Sequence, residues 1–86
     1  MEIKMTEKQF RRLLDLVYIG NWILNSTRGD DRIRQYDEVE SLVFSQCLAH
    51  GMAPLTELYQ GHLIPSQAFA EGGIHEAIMA YEDTMF

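Results

Sequence analysis

The side chains best suited to chemistry in this chain are one cysteine and three histidines. Cys47 and His50 lie three positions apart, so a helix would place them on one face, and His62 follows in a segment without a helical period. A thiol beside an imidazole can serve as a nucleophile with its base. The same pair is also what a buried small thiol and a helix-terminal histidine would look like. The sequence therefore offers Cys47, His50 and His62 as an alternative enzyme or ligand site at a subunit boundary, and it assigns no catalytic residue.

Metal and cofactor sites are not expected from the spacing of these residues. Cys47 and His50 supply two ligands where structural zinc needs four, and His75-Glu76 lacks the second histidine of a zinc-protease helix. The acidic residues between 30 and 40 do not follow the calcium-loop pattern, and Gly72-Gly73 is not part of a phosphate-binding glycine motif. We therefore expect no metal and no cofactor.

Charge is distributed unevenly along the chain, whose net charge is -6. All seven lysines and arginines lie within residues 1–34, whereas residues 35–86 carry eight acids and no lysine or arginine. The acidic balance opposes nucleic-acid binding. Two interpretations remain open: the basic and acidic segments attract each other within one fold, which we favour, or they attract each other between copies.

The compartment is suggested by the start of the chain and by its single thiol. The opening residues lack the apolar run of a signal peptide or membrane span, and a lone cysteine suits a reducing compartment. These features predict a cytoplasmic protein with no membrane partner. The glycosylation pattern Asn25-Ser26-Thr27 and the adhesion tripeptide Arg28-Gly29-Asp30 then have no role, and the segment is a connection between two helices.

Three helices are predicted from periodicity and capping. Thr6 and Gln9 form a capping box, and the apolar spacing that follows favours a helix to about Asn25 over the rival strand at residues 16–24. Asp30 or Asp31 is expected to cap a second helix ending at His50-Gly51. A segment follows that is irregular or briefly extended around residues 59–64, then a short helix at residues 66–70, and a third helix begins at Ile74. The predicted fold is an all-α single domain spanning residues 1–86, with the two long helices forming a hairpin.

The strongest remaining feature is the number of large apolar side chains. Nine aromatic residues and five methionines exceed what a three-helix monomer of this size can readily bury. We therefore expect a non-enzymatic helical module that acts through self-association, as a homodimer or larger assembly, or through a protein partner. The candidate interface residues are Phe10, Tyr18, Trp22, Tyr36, Phe44, Tyr81 and Phe86.

Two stretches of the chain, LDLVYIGNWILN (residues 14–25) and HEAIMAYEDTMF (residues 75–86), resemble segments of a family of small acidic bacterial proteins of unknown function. The resemblance concerns packing positions and implies no activity or catalytic residue. In that family the segment similar to residues 81–86 continues into a further helix, for which Asp83 or Thr84 would be a suitable cap. Whether the chain is complete at Phe86 is therefore open.

Overall fold

The structure, a computed structural model, describes residues 2–85, without the side chains of His75 and residues 81–85. Four α-helices and two β-strands make up most of it, together with 3-10 turns at Gln46–Leu48 and Ala53–Leu55. The elements in chain order are α1 (Glu7–Asn25), α2 (Arg34–Ser45), β1 (Thr56–Tyr59), β2 (His62–Pro65), α3 (Gln67–Ala70) and α4 (Ile74–Met85).

The fold class predicted from the sequence is wrong: the chain is mixed α/β, about 60% helical, with a small two-stranded sheet. Strands β1 and β2 pair antiparallel, with Thr56 opposite Pro65 and Tyr59 opposite His62. The Thr56 hydroxyl also donates to the Ile64 carbonyl at 2.8 Å. This hairpin occupies the segment expected to be irregular, and β2 packs against α2.

The hairpin turn explains why the sequence concealed this sheet. Gln60 and Gly61 are the two turn residues, and both have left-handed backbone conformations, with φ of 50° and 82°. Two-residue hairpin turns of type I′ require positive φ at both positions and usually carry Asn-Gly or Asp-Gly. Glutamine in the first position is uncommon there, so the turn lacks its usual signal.

The predicted start of α1 is confirmed. The Thr6 hydroxyl accepts from the Gln9 backbone N–H at 3.1 Å, and the Gln9 amide oxygen accepts from the Thr6 N–H at 2.8 Å. The helix then runs without interruption to Asn25, so helix rather than strand is also confirmed for residues 16–24. The short helix is confirmed as α3, which Ser66 caps through the Phe69 N–H.

The predicted cap of the second helix is wrong. Helix α2 begins at Arg34, and its N-cap residue is Ile33, whose side chain forms no capping hydrogen bond. Asp31 instead bonds the Arg28 guanidinium at 3.1 Å and the Gly29 N–H at 3.2 Å, inside the connection. At the other end the helix gives way to a 3-10 turn, and Gly51 has the left-handed conformation expected of it, with φ of 69°.

The core forms where α1, α2, α3 and α4 meet. Phe69 of α3 lies at its centre, with its ring edge-on to Phe44 at 5.1 Å and to Tyr18 at 5.3 Å between ring centroids. The Arg11 guanidinium lies over the same ring, 4.7 Å from its centroid. The buried hydrophobic residues are Phe10, Leu14, Phe44, Cys47, Phe69, Ile74 and Ile78.

The C-terminal helix is observed as α4, and Asp83 and Thr84, considered as possible caps, lie within its backbone span. Across residues 2–85, no helix combines the length and apolar character needed to span a membrane.

We expect Gly61→Ala to destabilise the fold by roughly 1 kcal/mol, because a Cβ is strained at positive φ. Gly29→Ala is the matched control: a Cβ meets nothing within 4 Å at either position, and only Gly61 has positive φ. Urea unfolding of the three proteins measures the difference. Equal losses for the two variants would contradict this account of the turn.

Candidate functional site

The cysteine and two of the histidines considered above do not form one site. The Cys47 thiol is fully buried in the core, and burial raises its pKa, which disfavours the reactive thiolate. The His50 ring stacks on Phe10 at 4.2 Å between centroids, and its Nδ1 lies 2.8 Å from a Glu7 carboxylate oxygen. His62 lies elsewhere, exposed on β2. No hydrogen bond joins any two of the three side chains in the described structure.

Metal ligands are likewise dispersed. In the part of the chain whose side chains are described, no three residues among histidine, cysteine, aspartate and glutamate are grouped closely enough to hold a metal ion.

A buried amide pair connects α1 to the start of α2. Asn25 is 1% exposed, and its amide exchanges two hydrogen bonds with the Ile33 backbone: Nδ2 donates to the carbonyl at 3.1 Å, and Oδ1 accepts from the N–H at 2.8 Å. Asn25 Nδ2 also donates to Asn21 Oδ1 at 2.6 Å. Asn25 thus bonds both the N–H and the C=O of Ile33, the N-cap residue of α2. The Ile33 side chain has no polar atom and cannot itself form a capping hydrogen bond.

The second amide of the pair faces two carboxyl groups of α2. Asn21 Nδ2 donates to Asp37 Oδ1 at 3.0 Å, and Arg32 donates to both oxygens of the same carboxylate at 2.6 and 2.9 Å. The Arg32 hydrogen bonds, helped by Asn21, lower the pKa of Asp37. Asp37 is therefore ionised and already engaged at neutral pH.

The pKa of Glu40, one turn further along α2, is raised, whereas that of Asp37 is lowered. Burial raises the pKa of Glu40 to about 7, an effect reinforced by the charge of Asp37 and only partly offset by a hydrogen bond from Asn21 and by Arg32. Burial and the charge of Glu40 in turn raise the pKa of Tyr18. One helix face therefore carries two carboxyl groups with opposite pKa shifts, and at neutral pH only Glu40 can readily accept or release a proton.

These groups line a cleft of about 740 Å³ between α2 and the β-hairpin, which we call the polar cleft. Its walls carry charge of both signs and two tyrosines. The residues that line it include Tyr18, Arg32, Arg34, Asp37, Glu40, Tyr59 and His62.

An apolar groove of about 870 Å³ lies between α1 and α4. Trp22 and Ile23 form one side, and Ala77 and Ile78 form the other. Trp22 is half-buried here and packs against the core, so only part of its ring is available to a partner.

The predicted interface residues are dispersed by the fold. Phe10 and Phe44 lie in the core of the chain itself, and Tyr18 is packed on Phe69, whereas Tyr36 is exposed on α2. Tyr81 and Phe86 fall outside the described side chains. Aliphatic residues outside the predicted set provide the exposed apolar surface instead. The main ones on α1 are Leu16 and Ile23, which are 69% and 56% exposed.

The periodicity of α1 could have revealed this surface. One apolar series, Phe10, Leu14 and Val17, faces the core. A second series at Leu16, Gly20 and Ile23 has spacings of four and three and lies on another side of the helix. We call this second series the outer stripe.

No protein-family model, curated protein or solved structure matches the chain.

We expect Asn25→Ala to destabilise the fold by about 2–3 kcal/mol, because it removes the acceptor of the Ile33 N–H and the donor to the Asn21 amide oxygen. The Ile33 carbonyl keeps a second partner, the Tyr36 N–H at 3.2 Å. Gln35→Ala, an exposed polar change in the first turn of α2, should cost less than about 0.5 kcal/mol. Chemical denaturation followed by circular dichroism compares the two. A loss at Asn25 no larger than at Gln35 would show that the amide is not needed.

Stability should also depend on pH through Glu40. Its folded-state pKa of about 7 exceeds its ordinary value near 4.5, so the folded state holds the proton more tightly. The resulting stabilisation is full below the unfolded pKa and is lost as pH rises through 7. Allowing for solvent screening of its exposed part, the loss is on the order of 1–2 kcal/mol.

The variant Glu40→Gln should therefore be more stable than the wild type at pH 8 and should show a flatter profile between pH 5 and pH 8. Glu38→Gln removes an exposed carboxylate two positions away and should keep the wild-type slope. Urea unfolding at pH 5, 6, 7 and 8 makes the comparison. Parallel profiles for all three proteins would refute the assignment.

Proposed function

We propose that this protein is a non-enzymatic module of mixed α/β fold that acts by associating with a second copy of itself. The observation that carries the proposal is the amount of surface, above all apolar surface, that the single chain leaves uncovered. The proposal includes the cytoplasmic location inferred from the sequence.

The exposed area is larger than a monomer of this mass normally has. The chain exposes 6448 Å², whereas a folded monomer of 10.0 kDa is expected to expose about 5,200 Å². The excess is about 1,200 Å², and each partner in a standard protein interface contributes about 800 Å². One interface of ordinary size would therefore bring the chain close to the expected value.

The composition of the exposed surface supports the same conclusion. Among the described residues, seven hydrophobic side chains are buried and ten large ones are exposed. Single exposed hydrophobic residues are common, but contiguous ones mark interaction sites. Of the two large hydrophobic residues exposed on α1, Leu16 and Ile23, the second lines the apolar groove.

Ligand binding in the polar cleft is the second candidate, favoured by a lining that contains both His62 and Glu40. It ranks lower because Asp37 and Arg32 of the cleft are already paired with each other. Arg34, Glu38 and Glu40 are then the charged groups left for a ligand.

The proposal predicts a mass that rises with concentration. Sedimentation of the wild-type chain from about 1 µM to 1 mM should show a monomer converting to a dimer, with intrinsic tryptophan fluorescence reporting any change around Trp22. A strictly monomeric chain over that range would overturn the proposal.

A further inference from the structure

We propose that the outer stripe of α1 pairs with the outer stripe of a second copy, in an antiparallel arrangement about a two-fold axis near Gly20. This inference rests on the proposed self-association and specifies the surface that performs it. The occupant is a second copy, for which three observations argue.

The first observation is the shape of the stripe. A Cβ added to Gly20 would meet nothing within 4 Å, so the backbone there borders open space on its own chain. Leu16 lies one turn before the glycine and Ile23 lies one turn after it, and both are exposed. Such a surface is self-complementary, because a two-fold axis at the glycine lets the two backbones approach closely and sets Leu16 of each copy beside Ile23 of the other.

The second observation is that the glycine has no explanation within one chain. Gly20 lies in the middle of a 19-residue helix, where glycine is a poor helix former, and it has an ordinary helical φ. No close contact within its own chain requires the missing side chain. Close approach of a backbone from outside is the remaining use of glycine at such a position.

The third observation is charge. Lys8 precedes the outer stripe and Asp30 follows it, and both side chains are exposed. Among the described side chains neither has an ion-pair partner, whereas Arg12 and Asp31 are paired with Asp15 and Arg28. An antiparallel pair brings Lys8 of each copy to the end of the other copy that carries Asp30, and it also aligns the two helix dipoles favourably. A parallel pair would set like charges together.

The outer stripe is continuous with the apolar groove, because Ile23 belongs to both. The excess area of the whole chain, described above, is of the size that one standard interface needs.

Leu16→Arg tests the surface, and Leu42→Arg is its matched control. The two leucines are 69% and 67% exposed and lie on α1 and α2 respectively. We expect Leu16→Arg to weaken dimerisation at least tenfold and Leu42→Arg to change it less than twofold, in sedimentation experiments at equal concentration. Circular dichroism checks that both variants fold.

Gly20→Lys separates association from folding. Lysine is a better helix former than glycine, and its Cβ meets no atom within 4 Å, so the monomer should melt at a higher temperature than the wild type. At the two-fold axis, however, the two lysines repel each other, and the dimer should weaken at least tenfold. A variant that folds more stably and still dimerises like the wild type would overturn the inference.

Orientation is tested by a charge exchange at low salt. Lys8→Glu and Asp30→Lys should each dimerise several-fold more weakly than the wild type, because each creates two like-charge contacts in an antiparallel pair. A mixture of the two variants should restore dimerisation as a heterodimer. If Lys8→Glu alone does not weaken the dimer, the antiparallel arrangement is wrong.

The outcomes for this inference and for the proposed function are distinguishable. A wild-type chain that stays monomeric removes both. A wild-type dimer that is insensitive to Leu16→Arg and Gly20→Lys but is broken by Leu42→Arg keeps the proposed function and moves the interface to α2.

Discussion

The arrangement of this fold depends on the pair of hydrogen bonds between the Asn25 amide and the Ile33 backbone. These bonds hold the end of α1 against the start of α2. Water cannot replace them, because Asn25 is almost completely buried. Once Ile33 is fixed, the start and direction of α2 are fixed, and Asp37 is placed within reach of Asn21. Glu40 then lies at the same contact, where its burial produces the raised pKa. The positions of Asp37 and Glu40 in the polar cleft therefore follow from the hydrogen bonds between the Asn25 amide and the Ile33 backbone.

Local signals in the sequence predicted the elements that local interactions form. The capping box at Thr6 and Gln9 and the Ser66 cap of α3 involve residues three positions apart, so the sequence contains all of the information. The start of α2 was predicted wrongly because Asp30 and Asp31 are favourable caps by residue type, whereas the actual cap comes from Asn25, eight positions before Ile33. A hydrogen bond across that distance follows from how the helices pack. The β-hairpin was missed for a related reason, since Gln60 takes a conformation that its type does not favour.

The candidate interface shows the same division between residue type and position. Phe10 and Phe44 were selected for being large and aromatic, but their places in the helical repeat direct them into the core. Leu16 and Ile23 are less conspicuous residues whose positions direct them outward. Periodicity was the better guide, because a helix of 3.6 residues per turn assigns each side chain a direction whatever its size. The second apolar series was present in the sequence and was hidden by the nearly continuous apolar run around it.

Two properties of the chain are only partly compensated within a single copy. Each ion pair of a lysine or arginine among the described side chains joins residues at most five positions apart, as Arg11–Asp15 and Arg32–Asp37 do. Of these pairs, Arg32–Asp37 alone joins the basic segment to the acidic one, so the attraction we favour within the fold operates at one place. The apolar character of α1 is likewise used on one side only. A small domain cannot cover both sides of a long helix, because it has too little chain for a second layer. A helix that is apolar on its outer side and has glycine in the middle of that side conflicts with what its own monomer needs, and such conflicts are where function is expected. The proposed second copy resolves the conflict with the least additional information, because it covers the stripe with an identical stripe.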